Sequence, residues 1–258
     1  MRLLLPIFAA TAILVVSLQS SDSINPLTPS TEMASQTRWV VNTINARHYL
    51  HNSMEQLDGA AMVEAFVESF DYSRMYFLQS DIDDFNFRFE NSMENFLEKG
   101  NLYAAFEIYD SFKQIAEART NWVFTRLQED WDFSSDASFA PDRREAEWLA
   151  SRQEADDLWE RRLKYELLNE LMSLATEEKD QVAENPEVEV PAEDEDAFDP
   201  EKLERLLENK LFFAETLDEA REKIRRRYER NLSHTIEREA AEVQEAYINA
   251  MTQLFDPH

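Results

Sequence analysis

Along Thr216–His258 the apolar residues recur every three or four positions, at Ile224, Tyr228, Leu232, Ile236, Ala240, Val243, Tyr247, Met251 and Leu254. That spacing is one face of an α-helix. Thr216 and Glu219 read as a capping box in front of it, the hydroxyl accepting from the backbone three residues on and the carboxylate reaching back. Pro257 disfavours a helical conformation at Asp256. The pattern therefore predicts one helix, ~55 Å long at 1.5 Å per residue, stopping at Asp256-Pro257-His258. A stop at a turn signal reads as the passage into another element, and hence as the front part of a longer protein.

The same periodicity predicts the earlier helices. The first runs from Thr31 to Glu55 on a face of Met33, Val40, Ile44 and Leu50, and the second from Asp58 to Phe70 with Met62, Phe66 and Phe70 inward. An aromatic connection, Asp71 to Leu78, follows. Ser80 caps a third helix whose first turn holds Asp81, Asp83 and Asp84, where carboxylates favour the helix dipole. Gly100 is its left-handed C′ residue. Leu102 to Glu129 carries Phe106, Tyr109, Phe112, Ile115, Trp122 and Leu127, a stripe of core type. After a loop at 130–144 a fifth helix spans Arg144 to Thr176, with Trp148, Leu158, Trp159, Leu163 and Leu171. Its charges alternate between apolar anchors, which suits a partly exposed helix.

Composition changes the picture at both ends of this series. Residues 177–201 hold twelve Asp or Glu against one Lys, with three prolines. Such a segment buries too little apolar surface to offset its ordering entropy, and disorder is expected. A calcium loop is the alternative, but the Asp-x-Asp-x-Asp-Gly spacing is missing. Asp199-Pro200 then restarts the fold, with a helix to Phe212. Residues 1–21 have Arg2 ahead of a charge-free run from Leu3 to Leu18, the form of a secretory signal peptide. The alternative is an uncleaved anchor, for which sixteen residues are short. The expected organisation is a signal peptide at 1–21, a linker at 22–30, the first part of a helical domain at 31–176, the acidic insert at 177–201 and closing helices at 202–258.

Two glycines and eight prolines in 258 residues, with 43% hydrophobic residues at helical spacing, predict an all-α fold: a bundle of about six or seven helices with a long C-terminal helix. Cysteine is absent, which export permits in a domain of this size. The net charge of −27 repels phosphate backbones and anionic lipid, so a nucleic-acid partner is excluded. His48 and His51 lie at i and i+3, but His234 and His258 are remote. Packing at a helix edge accounts for the pair better than a metal site does. No Gly-x-Ser-x-Gly elbow, phosphate-cradling glycine loop or His-Glu-x-x-His occurs. No catalytic, cofactor-binding or metal-binding residue is assigned, and no cofactor is implied.

The connection Phe70-Asp71-Tyr72-Ser73-Arg74-Met75-Tyr76-Phe77-Leu78, followed by Ser80-Asp81-Ile82-Asp83-Asp84-Phe85, resembles the N-terminal domain of tail-specific (carboxy-terminal processing) proteases. Arg47-His48-Tyr49, Leu158-Trp159, Arg226-Arg227-Tyr228 and Phe255-Asp256-Pro257-His258 extend the resemblance over roughly residues 36–258, apart from the acidic insert. The resemblance implies an exported, periplasmic serine endopeptidase that recognises apolar C-terminal tails. In that family a PDZ domain follows, and a Ser nucleophile with a Lys base lies beyond it. This chain would then be the noncatalytic helical domain, which frames substrate access and in some members holds an adaptor lipoprotein. Its partners would be protein substrates or an adaptor and the downstream PDZ and protease domains, with no transmembrane span after signal cleavage. The acidic insert departs from the family pattern. Tyr72, Arg74, Tyr76 and Phe77 are the candidates for contact with another domain or partner, with burial inside the bundle as the competing role. A free-standing periplasmic helical scaffold or adaptor is the alternative function.

Overall fold

The computed structural model describes residues 26–47, 53–133, 138–182 and 210–255. Among them the regular structure is helical, with one isolated parallel bridge between Leu78 and Leu149 and no strand. The all-α bundle expected from the spacing is what forms. The signal peptide expected at 1–21, His48, His51, most of the acidic insert and Asp256–His258 lie outside the described residues.

Local signals fix most helix ends. Helix α1, Thr31–Arg47, starts where the Ser30 hydroxyl accepts from the Met33 amide at 3.1 Å. Helix α2, Gly59–Glu68, starts where Asp58 accepts from the Ala60 and Ala61 amides; both are N-caps that satisfy otherwise unpaired donors. Helix α3, Gln79–Phe89, is followed by a 3-10 turn at Glu90–Ser92 and by α4, Met93–Lys99. Gly100 closes α4 with φ 67, the left-handed C′ position expected. Helix α5 is Tyr103–Leu127, α6 is Arg152–Val182, α7 is Lys210–Glu237 and α8 is Ala240–Gln253.

Both glycines of the chain mark close backbone approaches. A Cβ on Gly59 would stand 2.0 Å from the Glu90 carbonyl oxygen, and one on Gly100 would stand 2.1 Å from that of Ala34. Neither position accepts a side chain without moving backbone, and at Gly100 the positive φ adds strain for any L-residue.

Two apolar cores form. In the first, Val41 of α1, Phe66 of α2, Phe85 of α3, Tyr109 of α5 and Tyr247 of α8 meet. In the second, Val123 and Leu127 of α5, Trp159, Leu163 and Leu167 of α6, and Ile224 and Tyr228 of α7 meet. Leu27 packs on the first core, and its amide donates to the Asp110 carboxylate at 3.2 Å, so the end of the 22–30 linker lies against the bundle.

The structure departs from the sequence reading in several places. The third helix starts at Gln79 with Leu78 rather than Ser80 at its N-cap, and the turn at Glu90–Ser92 divides it from α4 before Gly100. Helix α1 ends at Arg47 rather than Glu55, and Ser53–Gln56 is a 3-10 turn. The expected Arg144–Thr176 helix begins at Arg152, because Ser151 accepts from the Glu154 amide while Glu154 accepts from the Ala150 amide. It continues to Val182, into the stretch assigned to the acidic insert. The expected 216–258 helix begins earlier, at Lys210, leaving Thr216 buried in its interior rather than at a cap. It also breaks at Arg238–Glu239, where Glu239 is extended (φ −74, ψ 153) and its amide donates to Glu242 at 2.8 Å. The break falls where the chain passes from one core to the other: Tyr228 packs in the second and Tyr247 in the first. A straight helix would carry one stripe past both, and the bend lets each half face its own core. On α1 the buried stripe is Met33, Thr37 and Val41 rather than one through Val40, since Thr37 meets Gln244 of α8 at 2.9 Å.

Candidate functional site

Residues Asp71–Leu78 join α2 to α3 and link the two cores. The Asp71 carboxylate organises them. One oxygen accepts from the Met75 amide at 2.9 Å, and the other accepts from Tyr76 at 2.9 Å and Phe77 at 3.0 Å. The Arg74 amide donates to the Asp71 carbonyl at 2.9 Å. Three donors on one buried carboxylate fold the backbone into a tight arch and give the Met75, Tyr76 and Phe77 amides their acceptor.

The side chains of the arch then diverge. Phe77 is fully buried in the first core, edge-on to Phe85 at 5.5 Å. Met75 is buried in the second core, and its carbonyl accepts from the Trp159 indole N–H at 2.9 Å. Tyr76 packs on both cores and meets the rings of Phe112 and Trp159 at 5.3 and 5.2 Å. Beside Trp159, Arg162 pairs with Glu166, and Glu166 also takes Arg227 at 3.1 Å and the Tyr228 hydroxyl at 3.1 Å. The arch is therefore the joint of the bundle.

Arg74 adopts φ 50, a left-handed conformation that costs a non-glycine residue about 1 kcal/mol or more. Its guanidinium offsets that by pairing with Glu64 at 2.8 Å and with Glu68, donating to the Ala146 carbonyl at 2.9 Å, and lying 5.0 Å from the Trp148 ring centroid. The Ala146 and Trp148 contacts, with the Leu78–Leu149 bridge, strap residues 146–149 across the arch. Tyr72 alone of the four candidates stays open, at 57% exposure. Arg144 donates to its hydroxyl at 2.9 Å and is itself held by Asp142. Of the proposed contact residues, Phe77 is buried, Tyr76 half-buried and Arg74 engaged within the bundle, which leaves Tyr72 as the surface they offer.

Sequence reasoning missed Asp71 and Trp159 as partners of this arch. An Asp ahead of a turn does signal side-chain capture of backbone amides, but nothing in the spacing places Trp159 beneath Met75.

Burial pushes the Asp71 carboxyl from 3.8 up to about 6, against the pull of the three amides and of Arg143. A carboxyl whose folded value is raised binds its proton more tightly when folded. Its contribution is fully present below 3.8 and is lost as pH rises through about 6. The roughly two-unit gap corresponds to about 3 kcal/mol. We expect a carboxyl-carbon NMR titration of Asp71 with its midpoint near 6. A midpoint below 3.8 would mean that the amides outweigh burial.

Among the described residues no group of three His, Cys, Asp or Glu is placed to hold a metal, and His234 is exposed on α7. No described helix is long and apolar enough to cross a membrane.

Comparison of the sequence with known proteins finds a family model and curated relatives. A family model described as the tail specific protease N-terminal domain matches residues 40–258. The tail-specific protease of Haemophilus influenzae is 25% identical over 154 residues, covering 59% of this chain and 22% of that protein. The chain thus spans about a fifth of that relative's length.

Proposed function

Since this chain belongs to the tail-specific protease N-terminal domain family, we propose that it acts as the noncatalytic helical domain of a periplasmic tail-specific serine endopeptidase. In this role it helps to frame substrate access or to dock a partner. The observation that carries the reading is the family match from residue 40 to residue 258, which takes in both cores and the arch that joins them. The apolar run behind Arg2 supports export by a signal peptide at 1–21. Peptide-bond hydrolysis then belongs to a Ser/Lys dyad carried outside this domain, beyond a PDZ domain. The exposed Tyr72 ring, backed by Arg144, is the part of the joint through which the domain would meet its neighbours.

The test is to incubate the purified chain with a peptide bearing an apolar C-terminus and follow cleavage by mass spectrometry. No cleavage is expected. Cleavage that persists after removal of contaminating proteases would contradict the noncatalytic reading.

A further inference from the structure

On the far side of the first core, α1 and α8 leave between them an open groove of about 630 Å³. Its wall on α1 is Glu32, Ser35, Gln36, Trp39 and Val40; its wall on α8 is Ala241, Gln244, Glu245, Ile248 and Asn249. Each wall steps by i, i+3, i+4, i+7 and i+8, which is a complete helix-face stripe. Two adjacent stripes of that kind are the seat into which the ridge of a third helix packs. Along α1 the seat runs ~12 Å, which spans a little over two turns of a docked helix.

The seat is preformed. Gln244 is buried, and its amide nitrogen donates to the Met33 carbonyl at 2.8 Å and to the Thr37 hydroxyl at 2.9 Å, which holds α8 against α1. Trp39 nevertheless stands 70% exposed on the rim. A large ring left in water beside an apolar trough is the usual anchor of a helix-in-groove contact.

Charge selects the occupant. The two charged residues of the lining, Glu32 and Glu245, are both acidic, on a chain of net charge −27. A second copy of this chain, or an anionic lipid surface, would be repelled. We propose that the α1–α8 groove is a docking site for a basic amphipathic helix of a partner protein. Its apolar stripe covers Trp39, Val40 and Ile248, and Lys or Arg at its edges meets Glu32 and Glu245. This goes beyond the domain's place in a protease and holds independently of it.

The probe is a synthetic helical peptide of about fifteen residues with Leu along one face and Lys at its edges. A control peptide has the same composition with the Leu residues spread around the helix. In calorimetric titration of the chain, the striped peptide should bind at micromolar strength and the control about tenfold more weakly. Trp39→Ala and Ile248→Asp should each weaken the striped peptide about tenfold. Phe87→Ala, which removes a still more exposed ring on α3 (87%), should leave binding unchanged. Circular dichroism of each variant establishes that it is folded. Equal binding of the two peptides, insensitivity to Trp39→Ala, or no binding at millimolar peptide would overturn the proposal. So would a dimer in sedimentation that Trp39→Ala dissociates, which would assign the groove to a second copy.

Discussion

Asp71→Ala should destabilise the domain by about 3 kcal/mol at neutral pH. Two opposing effects set that figure. The substitution leaves three amides, those of Met75, Tyr76 and Phe77, without their acceptor, and an orphaned buried donor costs about 1–3 kcal/mol. It also relieves the burial of a carboxylate, worth about 3 kcal/mol from the raised titration point. The donors win. The balance also fixes the pH dependence: the relief vanishes once the native carboxyl is protonated, so the loss should grow as pH falls through about 6. An acid held by an ion pair would show the opposite trend. Urea denaturation of wild type and variant on either side of that pH checks both magnitude and sign. A loss that shrinks on acidification would contradict the account of Asp71.

Trp159→Ala should cost more, about 4–5 kcal/mol. Removing a fully buried aromatic leaves a cavity that the surroundings only partly close, at about 3–5 kcal/mol. The substitution also strips the Met75 carbonyl of its donor, adding about 1 kcal/mol. It removes the ring that Tyr76 and Tyr228 pack against, at 5.2 and 6.0 Å, so the second core loses its tie to the arch. Against a total stability of roughly 5–15 kcal/mol for a domain, this is close to the limit of folding. Trp159→Phe, which keeps most of the volume and loses the N–H, should fall well short of it. Thermal melting of the two variants separates the contributions. Equal melting temperatures would mean that the indole packing contributes little.

These two residues also show where the sequence was informative and where it was not. Local signals were legible where their partners lie within one turn, as with Gly100, which ends α4 in the left-handed region. Periodicity gave the helical class and the cores of α2 and α5. It could not reveal the break at Arg238–Glu239, where no Gly or Pro interrupts the pattern; the cause is the passage between two cores, a tertiary fact. The start of α6 was readable and was missed. Ser151 and Glu154 form the same Ser/Thr-x-x-Glu signature that was assigned to Thr216 and Glu219, where the structure instead shows helix interior. The arch was flagged by its aromatic content, but the role of Tyr76 depends on Phe112 and Trp159, more than thirty positions away. The groove between α1 and α8 was not legible at all. It joins residues more than two hundred positions apart, and Trp39 reads like any other aromatic of a helix.

The central claim, that this chain is the helical N-terminal domain of a tail-specific protease, is tested most directly by reading the coding sequence past the codon for His258. The account predicts an open frame continuing into a PDZ-like segment and then a domain with the Ser nucleophile and Lys base. A stop codon immediately after His258 would contradict it and leave a helical protein acting without a catalytic site of its own.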